Sequence, residues 1–86
     1  MKNTIDRIRH EPPKIRIGKN GITESIIKEI IVILKRDQIV KIKCLKVVPN
    51  ESTKAIGENI AKLANGKIVD IRGKTFILIS KNVHNE

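Results

Sequence analysis

The fold is decided by Ile17-Gly18-Lys19-Asn20-Gly21-Ile22-Thr23-Glu24. A short alternating run ends at the first glycine of this stretch, and a long helix with an apolar stripe begins after the second. Glycine lets the backbone adopt positive φ and approach a ligand closely. The first N–H groups of a helix are unpaired and lie at the positive end of its dipole. Two interpretations stay open for residues 18–21: a phosphate-binding loop assisted by the Lys19 ammonium, or a tight turn without a ligand.

The segments beside this stretch have clear periodicities. Residues 14–17 alternate polar and apolar side chains, which predicts a first strand. Residues 23–37 carry isoleucines at helical spacing, which predicts a helix with Thr23 as its N-cap. Residues 1–13 have Ile5 and Ile8 at helical spacing before two prolines, so at most a short N-terminal helix is expected there.

The rest of the chain predicts one more helix and three more strands. These are a half-buried strand over 39–47, a helix capped by Asn50 or Ser52 and closed at Asn65-Gly66, and strands over 67–72 and 75–80 joined by Gly73-Lys74 in a type II′ turn. The predicted fold is therefore an α/β (α+β two-layer) domain of order β-α-β-α-β-β, with a mixed four-stranded sheet and both helices on one face. On the other face we expect a basic patch of four side chains: Lys14, Arg16, Lys41 and Lys43.

The composition points to a polyanionic partner. Eighteen Lys and Arg against nine Asp and Glu give a net charge of +9 and a pI near 10.1, which favours nucleic acid over a membrane surface. The alternative is that this charge is only solvated surface. Phe76 is the one aromatic residue, which argues against modules that stack bases on aromatic side chains.

Other functional classes find little support. Cys44 is the single cysteine, so neither a disulfide framework nor a thiolate zinc cage is available within one chain. Asp6 and His10 are four residues apart, but two ligands do not make a metal site, and His84 lies near the other terminus. We therefore expect a non-enzymatic protein without a cofactor. The charged N-terminus and the shortness of the apolar runs lead us to expect a cytoplasmic protein that does not enter a membrane.

Three blocks of the chain resemble the CRM-domain family (chloroplast RNA splicing and ribosome maturation) in its single-domain, YhbY-like form. They are Ile17-Gly18-Lys19-Asn20-Gly21-Ile22-Thr23-Glu24-Ser25-Ile26-Ile27-Lys28-Glu29-Ile30, Ile39-Val40-Lys41-Ile42-Lys43 and Ile71-Arg72-Gly73-Lys74-Thr75-Phe76-Ile77-Leu78. The chain departs from the family in its short N-terminal segment and in Ile79-Ser80, where the family has an aromatic-basic pair. Glu24 stands where a KH motif has an apolar residue, which disfavours a KH domain.

The resemblance implies a fold like the C-terminal domain of translation initiation factor 3 and an RNA-binding role in ribosome maturation. It covers most of a CRM-like RNA-binding domain over 14–80, and the residue pattern adds an N-terminal extension or short helix (1–13) and a polar tail (81–86). We expect a monomer whose partner is ribosomal RNA or a pre-ribosomal particle. The candidate RNA-binding residues are Gly18, Lys19, Asn20, Gly21, Thr23, Lys28, Lys14, Arg16, Lys41, Lys43 and Lys74. The alternative is an Alba-like protein that coats nucleic acid or chromatin.

Overall fold

The computed structural model describes residues 2–81. Its elements are α1 (Lys2–Arg9), β1 (Ile15–Ile17), α2 (Glu24–Asp37), β2 (Ile39–Cys44), α3 (Asn50–Leu63), β3 (Gly66–Arg72) and β4 (Thr75–Ser80). The strands form one sheet in the order β1-β2-β4-β3, with β1 and β2 parallel and the other pairs antiparallel. The predicted mixed four-stranded sheet is confirmed. Of the predicted tail, residues 82–86, including His84, lie outside the described residues.

The main core lies between the sheet and helices α2 and α3. Ile30 of α2 and Ile60 of α3 are fully buried in it. The sheet contributes side chains that alternate along its strands: Ile15, Ile17, Val40, Ile42, Phe76 and Leu78. Burying one such side chain contributes about 1.5–3 kcal/mol. Tertiary packing, rather than the modest helix propensity of isoleucine, therefore stabilises α2.

Helix α1 covers part of the opposite face of the sheet. Its Ile5 and Ile8 pack against Ile39, Ile77 and Ile79, which form a second, smaller core. This explains why β4, an interior strand, is apolar on both faces. The fold thus has a helix on a face for which none was predicted, because two isoleucines on one short helix are enough to cover these three buried side chains.

The ends of the elements follow local chemistry. Thr23 is the N-cap of α2, as predicted, and its Oγ1 accepts a hydrogen bond from the Ile26 N–H at 3.1 Å. The prediction that Asn50 or Ser52 caps α3 is wrong, because Pro49 occupies the N-cap position without a side-chain cap bond.

Strand β2 ends at Cys44 rather than at residue 47, since the chain then enters a tight turn. Gly73 in the β3–β4 turn has a φ of 57°, consistent with the predicted type II′ turn.

Candidate nucleic-acid interface

The glycine loop, residues 18–21, forms a tight turn at the end of β1. The Gly21 N–H donates to the Gly18 carbonyl oxygen at 2.9 Å. Gly21 has a φ of 66°, a left-handed conformation that favours glycine. The two residues between them, Lys19 and Asn20, are exposed. The tip of the loop is therefore open to a ligand.

Gly18 is not required by its backbone conformation, because its φ lies outside the left-handed region. A Cβ added there would lie 3.4 Å from Cδ1 of Leu45, which is an ordinary van der Waals distance. The fold therefore tolerates alanine at position 18. A functional need for glycine at this position would come from a ligand that approaches the backbone.

The glycine loop leads directly into the N-terminus of α2. The Thr23 hydroxyl satisfies the Ile26 N–H, while the N–H groups before it in the first turn have no intrahelical partner. These groups and the helix dipole favour an anion. Lys28 lies one turn further along, where its Nζ is 3.9 Å from Oε1 of Glu24 and both side chains are largely exposed. Such an exposed pair is weak, so Lys28 stays available to a ligand.

Four polar side chains line up across the sheet beside the glycine loop. Arg16 of β1 is in register with Lys43 of β2, Lys43 with Thr75 of β4, and Thr75 with Arg72 of β3. We call these four residues the cross-strand row. With about 4.8 Å between neighbouring strands, the row spans all four strands on the face that α1 only partly covers. Its β1 end lies two residues before Gly18.

Most of the positive charges in this region lack an acidic partner among the described residues. Within residues 2–81, Arg16, Lys19 and Lys43 take part in no ion pair, whereas Arg72 lies 3.7 Å from Asp70. Like charges in neighbouring positions of adjacent strands repel each other. Arg16 and Lys43 are both exposed and sit side by side. An anion bound between them would relieve this repulsion.

Two of the predicted RNA-binding lysines, Lys41 and Lys74, hydrogen-bond to carbonyl oxygens of the protein itself, and their contact with RNA stays a prediction. The Lys41 Nζ donates to the carbonyl oxygens of Arg9 and Glu11 at 2.7 and 2.8 Å. The Lys74 Nζ donates to the carbonyl oxygen of Val48 and lies 3.4 Å from that of Leu45. The Lys41 ammonium therefore links strand β2 to the C-terminal end of α1 through hydrogen bonds to backbone carbonyl oxygens. The Lys74 ammonium does the same for the β2–α3 loop.

Lys14 does not join the other candidates either. It precedes β1, at the end of the strand opposite to the glycine loop, and lies near Asp37. The pKa of the Asp37 carboxyl is lowered chiefly by its hydrogen bond with Arg36 and to a smaller degree by the charge of Lys14. Of the predicted patch of four basic residues, Arg16 and Lys43 lie beside the glycine loop, and RNA contacts by Lys14 and Lys41 stay a prediction.

Two further basic residues at this end of the sheet were not among the predicted ones. Arg72 completes the cross-strand row, and its pairing with Thr75 across the two-residue turn could have revealed it. Lys46 is exposed in the β2–α3 loop. The Leu45 N–H donates to the Ile17 carbonyl oxygen at 2.8 Å, which places this loop beside the glycine loop.

The remaining candidate groups are engaged elsewhere. Asp6 accepts a hydrogen bond from Arg9 at 2.9 Å, and the Nδ1–H of His10 donates to the Asp6 carbonyl oxygen at 2.8 Å. Burial raises the pKa of the Cys44 thiol, which lies in the main core.

Across residues 2–81, no three side chains of His, Cys, Asp or Glu form a group able to hold a metal ion. No helix in the same range is long and apolar enough to cross a membrane.

Comparisons with known proteins agree with this architecture. The model of the CRS1 / YhbY (CRM) domain family matches residues 1–79. The chain is 24% identical over 80 residues to Probable RNA-binding protein YqeI of Bacillus subtilis (strain 168), an alignment that covers 93% of this chain and 82% of that protein. The solution structure of hypothetical protein SAV1595 from Staphylococcus aureus has the same fold, with a TM-score of 0.76 and 21% identity over 99% of this chain and 88% of that one. The resemblance inferred from three sequence blocks is confirmed, and the chain belongs to the CRS1 / YhbY (CRM) domain family.

Proposed function

We propose that this protein binds RNA through the glycine loop, the first turn of α2 and the cross-strand row. We further propose that it is an assembly factor of the large ribosomal subunit, which it joins by binding precursor ribosomal RNA. Membership of the CRM family and the name of the Bacillus subtilis relative support RNA as the ligand. The role in assembly rests on the sequence resemblance alone.

The pairing of Arg16 with Lys43 is the observation that carries the proposal. Two exposed cations lie side by side without an acidic partner within residues 2–81, and they stand next to an exposed glycine loop and a helix N-terminus. Each of these features favours an anion. A single phosphate would use only one of them, whereas a polyanion with regularly spaced phosphates uses them together.

The proposed contacts are mainly to phosphate and sugar. Phe76 is the one aromatic residue of the chain, and it is fully buried, so stacking of bases on exposed aromatic rings is not available. Affinity should therefore depend strongly on salt, because each neutralised phosphate releases counterions. Lys19, Asn20 and the helix N-terminus would position the RNA, and the cross-strand row would extend the contact across the sheet.

We also propose that the protein works in the cytoplasm as a monomer, without catalytic activity. The relative's name describes RNA binding and no reaction. The interface itself consists of cations, amides and hydroxyl groups, which suit binding rather than covalent chemistry.

Crosslinking in host cells, followed by sequencing of the attached RNA, tests this function. We expect enrichment of precursor RNA of the large subunit. The test variant Arg16→Glu/Lys43→Glu should lose this enrichment. The control variant Lys67→Glu/Lys81→Glu has the same net charge but changes two exposed lysines at the opposite end of the sheet, and it should keep the enrichment.

Two outcomes would contradict the proposal. Recovery of DNA instead of RNA would favour a protein that coats nucleic acid without selecting RNA. Equal loss of crosslinking in both variants would show that total charge, rather than the cross-strand row, determines binding.

A further inference from the structure

The turn at residues 45–48 carries two exposed apolar side chains beside the glycine loop. Leu45 is 37% exposed and Val47 is 59% exposed. The Leu45 N–H donates to the Ile17 carbonyl oxygen, and Cδ1 of Leu45 lies 3.4 Å from the position that a Cβ on Gly18 would occupy. Leu45 therefore lies against the backbone of the glycine loop, and Val47 follows two residues later in the same turn. We call these two side chains the apolar pair.

The apolar pair is held in a fixed position. The Val48 N–H donates to the Leu45 carbonyl oxygen at 2.9 Å, and the Val48 side chain is buried in the main core. The Lys74 Nζ donates to the Val48 carbonyl oxygen and lies 3.4 Å from that of Leu45. Single exposed apolar side chains are common on protein surfaces, so exposure alone indicates no function. Here, however, a ligand that covers the pair would lose little binding free energy to ordering of the turn.

Positive charges surround the apolar pair. Lys46 lies between its two members in the chain and is exposed, Lys19 lies at the tip of the glycine loop, and Arg16 lies two residues before Gly18. None of these three cations takes part in an ion pair within residues 2–81. The ligand that suits this surroundings combines a flat apolar group with a negative charge. A nucleotide of RNA has both, in its base and its phosphate.

We propose that the apolar pair packs against one unpaired base of the bound RNA, namely the base of a nucleotide whose phosphate is held at the glycine loop. A base is joined to its phosphate through a single ribose, so a phosphate at the glycine loop brings its base to the neighbouring turn. The face of a base is accessible only where the base is unstacked, as in loops, bulges and single strands. This contact therefore favours unpaired RNA over duplex RNA.

The inference rests on the proposed function and extends it from the RNA backbone to the pairing state of the strand. Other RNA-binding modules hold unpaired bases on exposed aromatic rings. Phe76 is buried, so aliphatic side chains would take that role in this protein. Leucine and valine side chains make no hydrogen bonds to base edges, and the contact is therefore expected to accept all four bases.

Leu45→Ser and Val47→Ser test the inference, with a short single-stranded RNA and the duplex of the same strand with its complement as probes. Fluorescence anisotropy should show that each substitution weakens binding to the single strand by about threefold to tenfold, because an apolar contact with the base is lost. Binding to the duplex should stay unchanged. The slope of log K against log salt should also stay unchanged, because no phosphate contact is removed.

Leu63→Ser is the control for this experiment. Leu63 is 59% exposed, the same fraction as Val47, but it lies at the C-terminal end of α3, whereas the 45–48 turn precedes the N-terminus of that helix. This substitution should leave both affinities unchanged. Urea denaturation shows whether each variant is folded, and Val47→Ser keeps the test decisive if the less exposed Leu45 proves necessary for folding.

The possible failures are distinguishable. If both folded variants bind the single strand normally while Arg16→Gln/Lys43→Gln weakens its binding, the apolar pair contacts no base, and the proposed RNA-binding surface stands. If the unmodified protein binds neither probe even at low salt, both proposals are overturned. If binding to the duplex falls as much as binding to the single strand, or if Leu63→Ser has the same effect, the apolar pair does not recognise an unpaired base.

Discussion

The Nζ of Lys41 lies 2.7 Å from the carbonyl oxygen of Arg9, the last residue of α1. It also donates to the carbonyl oxygen of Glu11 at 2.8 Å. Carbonyl groups at the end of a helix lack intrahelical partners and carry the negative end of the dipole, so a cation there is favourable. Lys41 thus links strand β2 to the helix that covers it, although its sequence environment resembles that of Lys43.

Lys41→Met should destabilise the protein, because it removes two charge-assisted hydrogen bonds and leaves their acceptors at a part-buried site. We expect a loss of about 1–3 kcal/mol in the free energy of unfolding, measured by urea denaturation. Lys43→Met is the matched control on the same face of the same strand, and it should cost little, because Lys43 is exposed. Equal effects of the two substitutions would contradict the anchoring role of Lys41.

Cys44 should make stability depend on pH in the alkaline range. Burial raises the pKa of its thiol, while the neighbouring Thr53 hydroxyl and the charge of Lys74 offset this only in part. The unfolded thiol has a pKa of about 8.5, so above that pH the unfolded chain binds fewer protons than the folded one, and stability falls as pH rises. The chain has no tyrosine, so no phenol group contributes to the pH dependence in this range.

Urea denaturation from about pH 7.5 to about pH 9.5 measures this effect, since that range brackets the ordinary thiol pKa. In Cys44→Ala, which has no thiol, the decline over this range should be smaller, although the variant is less stable at every pH because of the cavity it creates. An equal decline in both proteins would show that other groups cause the pH dependence.

The elements near the glycine loop were predictable because their signals are local. Thr23 caps the helix through an atom three residues away, and the periodicity of the isoleucines after it reports one buried face. The β3–β4 hairpin was likewise predictable from Gly73, whose positive φ suits the turn. The sequence of β4 also indicated a second packing layer, because Ile77 and Ile79 are apolar residues on the face opposite the main core. Helix α1 buries both of them.

The cross-strand row depends on tertiary structure and could not be predicted from alternation. The register of β3 shifts between Ile68 and Asp70. As a result, Val69 and Asp70 lie on the same sheet face although they are neighbours in sequence: Val69 packs in the smaller core under α1, and Asp70 accepts a hydrogen bond from Arg9 of α1. Lys41 and Lys43 likewise occupy equivalent polar positions in the alternation of strand β2. Only the placement of α1 makes one an anchor and leaves the other exposed.

Arg16→Gln/Lys43→Gln should make the protein more stable and weaken its binding to RNA. Removing two adjacent like charges should raise the free energy of unfolding by a few tenths to about 1 kcal/mol at low salt. The slope of log K against log salt for structured RNA should fall by about 2, because two phosphates would no longer be neutralised by these side chains. Urea denaturation and binding titrations over a range of salt concentrations measure the two effects. A gain in stability with unchanged RNA binding would show that the cross-strand row does not contact the RNA.

Lys19→Ala should weaken binding to structured RNA and reduce the same slope by about 1, because the exposed ammonium at the loop tip would contact one phosphate. Lys67→Ala is the control, since Lys67 is equally exposed at the far end of the sheet and should leave the slope unchanged. A slope in Lys19→Ala equal to that of the unmodified protein would exclude a phosphate contact by this lysine.

The two glycines of the loop should respond differently to alanine. Gly21→Ala forces a side chain into a left-handed conformation, at φ of 66°, and should cost about 1–2 kcal/mol of stability. Gly18→Ala meets only Cδ1 of Leu45 at an ordinary distance, so it should unfold at the same urea concentration as the unmodified protein. If the RNA backbone approaches the loop closely, Gly18→Ala nevertheless weakens binding, because its methyl group would occupy the path of the phosphate. Normal stability together with normal RNA affinity in Gly18→Ala would mean that Gly18 makes no close contact with RNA, and the binding surface would then begin at Lys19.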